Sequence, residues 1–229
     1  ATPIPRSLAM TIYGDLDVST LDELPPGRQR VITAVRTNSQ RERIYAFMAE
    51  QIDQGRQCFI VCPLIDESEG TARAAVPEYE RLRKTVFRKR RLGLLHGRLP
   101  EEEKERVMAQ FQAGTLDVLV CTTVIEVGID IPNATVMLVE NAGLFGLAQL
   151  HQLRGRVGRG AGQSYCILLS DEDSPSAAER LRIMEDTDDG FRLAEEDLRM
   201  RGPGDFFGVR QHGLPSLRVA QLSDVTVLE

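Results

Sequence analysis

At 229 residues, 42% of them hydrophobic and 27% charged, the chain can bury a sizeable core and lacks the composition of a disordered segment. Its formal net charge of −6 excludes nucleic-acid binding by overall positive charge, so any DNA contact must come from local clusters such as Arg88–Arg91 or Arg154–Arg159. No apolar run reaches the roughly 20 residues of a membrane-spanning helix and no signal-peptide pattern is present, so a cytoplasmic protein that does not engage a membrane is expected. Cys58, Cys62, Cys121 and Cys166 form no C-x-x-C pair and fall in apolar, strand-like runs, the pattern of buried reduced thiols rather than of a zinc site.

In chain order, Ala1–Arg6 (ATPIPR) reads as an extended loop because its prolines disfavour helix. Ser7–Tyr13 is a short helix candidate, and Asp22–Arg28 (DELPPGR) reads as a linker from its paired prolines and glycine. Val31–Val35 is the first strand candidate. Ser39 can cap a helix running through Gln54, with Ile44, Phe47, Met48 and Ile52 on one face and Gly55 ending it. Gln57–Pro63 (QCFIVCP) is a continuous apolar strand, as expected in a parallel sheet covered on both faces. A helix over about Thr71–Phe87 leads to a strand at Leu92–Leu95. The next helix spans about Pro100–Gln112, with proline in its first turn and Glu101, Glu102 and Glu103 where the helix start favours negative charge. Val118–Cys121, Thr135–Val139 and a run from Ser164 supply further strands, and a helix ending in Arg154, Arg156 and Arg159 separates the last two. This alternation predicts an α/β fold with a doubly wound, mainly parallel sheet. Beyond Ser170, Ser176–Thr187 and Phe191–Met200 are helix candidates joined at Asp188-Asp189-Gly190, and a glycine-rich loop runs from Arg201 to Gly213. The expected organisation is therefore an end piece and linker over 1–30, an α/β domain over 31–170, and a hairpin, loop and tail over 171–229.

The chemistry concentrates in Asp117–Gly160. Arg154–Arg159 holds three arginines and two glycines. Like charges this close repel by about 0.2–0.5 kcal/mol per pair on a helix, which points to an anionic partner. The planar fork of arginine suits phosphate oxygens. His96-Gly97-Arg98 and Thr122-Thr123 each follow a strand, where open α/β sheets bind ligands, and threonine hydroxyls and close-approaching glycine backbone are common phosphate partners. The same residues also read as a satisfied histidine, a turn glycine and caps. Asp130, flanked by Val127, Ile129 and Ile131, would be costly if buried unpaired; its partner could be a ribose, an arginine or a cap. The chain has no G-x-x-x-x-G-K-[ST] loop and no acidic Asp-Glu-x-His box, so it carries neither a phosphate cradle nor an obvious magnesium ligand set, and no metal site is expected on it.

QLRGRVGR, from Gln152 to Arg159, resembles the arginine motif Q-x-x-G-R-x-x-R of superfamily-two helicases, and CTTVIEVGIDIP resembles their preceding motif T-x-x-x-x-x-G-x-D. The wording is most similar to the RecG family of ATP-dependent DNA translocases, which remodel stalled replication forks; the cousin is the Mfd family of transcription-repair coupling translocases. ATPIPR resembles the end of a T-A-T-P-I-P-R segment that closes the first motor domain in both, so the chain is expected to start inside a motif of a longer protein. DELPPGR resembles RecG wording and not that of Mfd. The resemblance implies a second RecA-like helicase domain, with a first RecA-like domain and a wedge domain as partners within the same protein. It implies ATP with Mg²⁺, whose metal ligands lie in the first motor domain. Arg159 and Arg156 would reach the γ-phosphate and Gln152 would sense it, while Gly128 would lie against the nucleotide and Asp130 would accept from its ribose. His96, Gly97, Arg106 and Thr122 would track the backbone of branched or duplex DNA. Arg180, Arg201 and Gln211 would couple ATP-driven closure to translocation. A single-stranded DNA-binding protein is a further candidate partner. The alternatives are an Mfd-type motor and a catalytically dead module that only binds DNA. Arg88–Arg91 reads either as a DNA contact or as a solvated helix end.

Overall fold

A computed structural model describes residues 29–63, 72–123, 131–171 and 174–201. Short runs of branched and apolar residues form six strands: β1 (Ile32–Arg36), β2 (Gln57–Val61), β3 (Leu92–Leu95), β4 (Val118–Cys121), β5 (Ala134–Val139) and β6 (Tyr165–Leu169). They pair in the order β1-β6-β5-β2-β4-β3, every pair parallel. β2, β4 and β5 are buried at every position, as strands covered on both faces must be.

Successive side chains divide between two cores. Val136, Leu138 and Ile60 face α1 (Arg41–Asp53) and α2 (Ala72–Lys84); Met137, Val139 and Phe59 face α3 (Glu101–Gln112), α4 (Leu147–Arg154), α5 (Pro175–Asp186) and α6 (Gly190–Arg201). The chain runs β1 to β2 to β3 across the sheet in one direction and returns in the other, and with the right-handed crossovers that parallel strands favour, this puts the two helix sets on opposite faces. This is the RecA-like α/β architecture. The hairpin α5–α6 is not a detached appendage: Leu181, Met184 and Leu193 share one core with Leu150, Leu153 and Val157.

Three local expectations change. The entry to α1 is a 3₁₀ turn, Asn38–Gln40, in which Gln40 Oε1 accepts from the Thr37 N–H at 3.3 Å. Ser39 therefore sits inside the turn, its hydroxyl 2.7 Å from that of Thr37, and does not cap the helix. Pro100 occupies the N-cap position rather than the first turn of α3. The helix expected to end in three arginines stops at the first of them, Arg154, where the poor helix former Gly155 is the C-cap, and Gly158 at φ +77° turns the loop that follows.

All strands point the same way, so the sheet has an amino edge and a carboxyl edge. Four to six residues at about 3.3 Å each separate the two by about 13–20 Å.

Candidate functional site

The arginine motif lies on the amino edge. Since α4 connects two parallel strands, it runs antiparallel to them and delivers its C-terminus beside the strand starts. Leu147, Leu150 and Leu153 anchor it in the core. The loop that follows is held by close backbone approach. A Cβ on Gly158 would come 2.7 Å from Val31 Cγ2, and one on Gly160 would come 2.4 Å from the Pro132 carbonyl oxygen. Val157, just before them, is fully buried. The loop thus presents Arg156 half-buried and Arg159 exposed from a fixed backbone, the Arg159 Nε donating to the Gly155 carbonyl at 3.3 Å. Gln152 is half-buried on the last turn of α4, four positions before Arg156.

Arg154 differs from its neighbours. It is 4% exposed, and its Nη1 donates to the carbonyls of Met184 at 3.0 Å and Thr187 at 2.9 Å. Burial works against its charged form, with Asp188 opposing that effect. It is therefore not one of the anion-seeking cations that the sequence grouped together. The signal was present: Leu147, Leu150 and Arg154 fall at i, i+3 and i+7, the buried stripe of an amphipathic helix.

His96 and Thr122 lie on the opposite edge, one residue past the ends of β3 and β4, where the Thr122 N–H donates to the Leu95 carbonyl at 3.2 Å. Both are buried, and among the described residues His96 Nδ1 and Thr122 Oγ1 have no hydrogen-bond partner. Buried polar atoms without partners are rare and suit a ligand that supplies the missing contact. Burial, with Arg98 and Lys104 alongside, holds the His96 imidazole below its ordinary pKa. Gly97 is exposed in the turn that the Leu99 N–H closes on the His96 carbonyl. Arg106 projects from α3, exposed, toward Glu103 at 3.4 Å.

On the hairpin, Arg180 donates to the Ser176 hydroxyl at 2.8 Å and to the Gly143 carbonyl at 2.7 Å, which fastens α5 to the 3₁₀ turn Ala142–Leu144 after β5. That turn and the hairpin border an open cleft of about 580 Å³ lined by Phe145, Arg180, Arg199 and Met200, among others. Arg201 is the last residue of α6. Gly128, Asp130 and Gln211 lie outside the described residues.

A polar network across the carboxyl edge was not anticipated. Arg41 grips Glu140 through two bonds of 2.7 Å, Tyr45 links it to Glu78 and Arg81, and Asn38 holds Asp171. Burial raises the Glu140 pKa, and Arg41 opposes the rise. From the basic run, Arg90 pairs with Asp53 at 2.6 Å and Arg91 with Asp117, while Arg88 and Lys89 are exposed. The cysteines are all buried and free. Among the described residues, no helix is long and apolar enough to cross a membrane.

A parallel RecA-like sheet with an arginine loop on one edge and buried polar atoms on the other is the build of a helicase C-terminal domain. The helicase conserved C-terminal domain matches residues 39–161, and the chain belongs to that family. Within it the similarity is to RecG: the C-terminal part of domain 3 of ATP-dependent DNA helicase RecG matches residues 187–226. The chain is 54% identical over 231 residues to ATP-dependent DNA helicase RecG of Thermotoga maritima, covering all of this chain and 30% of that protein. It is 50% identical to the RecG of Bacillus subtilis, covering 97% of this chain and 33% of that protein. The chain thus spans about a third of the curated relatives it matches. A solved structure of RecG bound to a three-way DNA junction superposes with a TM-score of 0.78 at 51% identity, over 99% of this chain and 29% of that one. The L327V variant of Saccharomyces cerevisiae Dbp5 bound to RNA and ADP BeF3 shares the fold, with a TM-score of 0.53 at 19% identity over 86% of this chain and 51% of that one.

Proposed function

We propose that this chain is the second motor domain, with its coupling hairpin, of a longer RecG-type enzyme that uses ATP to move on double-stranded DNA and remodels stalled forks and recombination intermediates. The observation that carries this reading is the clamped arginine loop: Arg156 and Arg159 leave a backbone fixed by Gly158 and Gly160, the arrangement needed to meet a phosphate presented by another domain. In this reading the first motor domain cradles ATP and supplies the Mg²⁺ ligands. Arg159 and Arg156 stabilise charge on the γ-phosphate, an effect of about 10³–10⁵ in rate in related phosphoryl-transfer systems. Gln152 reports that phosphate, and Gly128 and Asp130 complete the nucleotide contact. His96, Gly97, Arg106 and Thr122 follow the DNA backbone, and Arg180, Arg201 and Gln211 couple closure to movement. A single-stranded DNA-binding protein is a candidate partner. Similarity to RecG along the whole chain favours this reading over an Mfd-type motor.

The test is fork-DNA-dependent ATP hydrolysis by the full-length protein, wild type against Arg159→Ala. A fall of about 10² or more with fork binding kept is expected. Unchanged turnover would remove Arg159 from the γ-phosphate and the motor reading with it.

A further inference from the structure

The loop that carries Arg156 and Arg159 is anchored upstream as well as downstream. Arg154, the last residue of α4, takes up carbonyls at the C-terminal end of α5, Met184 among those a helix leaves unsatisfied and Thr187 just past the end. A cation is favoured at that end of a helix. The same Nη1 lies 3.4 Å from Asp188 Oδ1, and the other oxygen of Asp188 contacts Arg30, which precedes β1. Three segments therefore meet at one carboxylate: the chain entering the sheet, the helix carrying Gln152, and the turn of the hairpin.

Stability alone does not explain this junction. Nη2 of Arg154 is buried, and among the described residues it has no hydrogen-bond partner. A buried cation with an unmet donor is an expensive way to fill space, and an apolar side chain of similar volume is often as good or better. What the guanidinium supplies, and an apolar group could not, is a directional link from the residue before Gly155 to the hairpin turn.

We propose that Arg154 and Asp188 are positioning residues that register the arginine loop against the turn of the hairpin, so that Arg156 and Arg159 keep their places when the motor closes. This inference rests on the motor function proposed above. Neither residue touches nucleotide or DNA; both act through the loop backbone.

The full-length protein carrying Arg154→Met, Arg154→Lys or Asp188→Asn tests it. Fork-DNA-stimulated ATP hydrolysis is measured against ATP concentration, alongside the thermal midpoint and fork affinity. In Arg154→Met, kcat falls about tenfold or more while KM for ATP stays within about threefold, because misplacement by an ångström costs rate rather than binding. Its thermal midpoint moves by less than about 4 °C. Arg154→Lys, which can still donate to the two carbonyls, regains part of kcat, and Asp188→Asn loses about threefold or more. A folded Arg154→Met protein with kcat within about twofold of wild type overturns the proposal, and so does a rise in KM or loss of fork affinity with kcat kept. If Arg154→Met does not fold, Asp188→Asn decides alone, and unchanged kcat there overturns it. Arg159→Ala in the same preparation separates the two inferences: if it is inactive while the positioning variants are fully active, only the positioning role fails.

Discussion

Two arginines close in sequence, Arg154 and Arg156, show how far single residues were legible. Both were read as part of one cation cluster, yet one is a buried link and the other is half-buried in the loop. Charge density made them look alike; helical phase separates them. The buried pair Arg41–Glu140 left no such signal, since its partners stand 99 positions apart and meet only through the fold. Glu140 is 6% exposed in its side chain and Arg41 26%. Arg41→Met leaves the carboxylate uncompensated and should cost about 3–5 kcal/mol in urea unfolding; adding Glu140→Leu should recover most of that loss. Recovery of nothing by the double substitution would show that Tyr45 and Glu78 depend on the pair. His96 gives a pH dependence of definite sign. Its folded-state pKa is depressed, so above the ordinary imidazole value of about 6.5 both folded and unfolded chains carry it neutral and its contribution is complete. As pH falls below that value the unfolded chain takes up the proton first, and stability declines until the folded-state pKa is passed. Urea midpoints should therefore drop between pH 7.5 and pH 5.5 by less in His96→Asn than in wild type. An equal drop would mean that burial does not perturb this imidazole.

Elements were legible where their periodicity is local. All six strands fall within a residue or two of the runs that predicted them, because a parallel strand buried on both faces leaves an unbroken apolar signature. The strand order was not legible, since pairing depends on crossover handedness and helix length rather than on any one run. Helix ends were the other loss. Ser39 has the right side chain for a cap, but its hydroxyl is taken up by that of Thr37, and Gln40 Oε1 accepts from the Thr37 N–H at the entry instead. Likewise the arginine-rich segment has good helix formers only as far as Arg154; Gly155 caps the helix there, and Gly158 at φ +77° then turns the chain. That turn defines the element on which the proposed chemistry depends. At Gly160 the obstacle is backbone, the Pro132 carbonyl oxygen at 2.4 Å from an added Cβ, so nothing flexible can yield. Gly160→Ala should destabilise the chain by about 1–3 kcal/mol and shift the loop. Urea denaturation checks the first effect, and ATP hydrolysis by the full-length protein, reduced toward the Arg159→Ala level, checks the second. Full activity with lost stability would mean that the loop's position is not what matters.

At the scale of the molecule, the two candidate surfaces occupy opposite edges of one sheet. The arginine loop sits beside the strand starts, His96 and Thr122 at the strand ends, and about 13–20 Å of rigid parallel sheet lies between. A nucleotide on one edge and a DNA backbone on the other can therefore be held together, with the sheet and hairpin as the connection between them. The same separation says what the chain lacks by itself. The phosphate-directed residues proposed for this chain are Arg156, Arg159 and Gln152, and the sequence contains no glycine-rich loop with lysine to hold the rest of a triphosphate. An arginine that stabilises transition-state charge contributes only when another element already presents the nucleotide in line with water. The purified chain should accordingly fold but hydrolyse no ATP, with or without fork DNA, at concentrations where the full-length protein turns over readily. Adding the separately purified first motor domain should restore some DNA-stimulated hydrolysis, and Arg159→Ala in the added chain should abolish the gain. Hydrolysis by the chain alone that responds to DNA would place a complete active site within these 229 residues and overturn the division of labour between two motor domains.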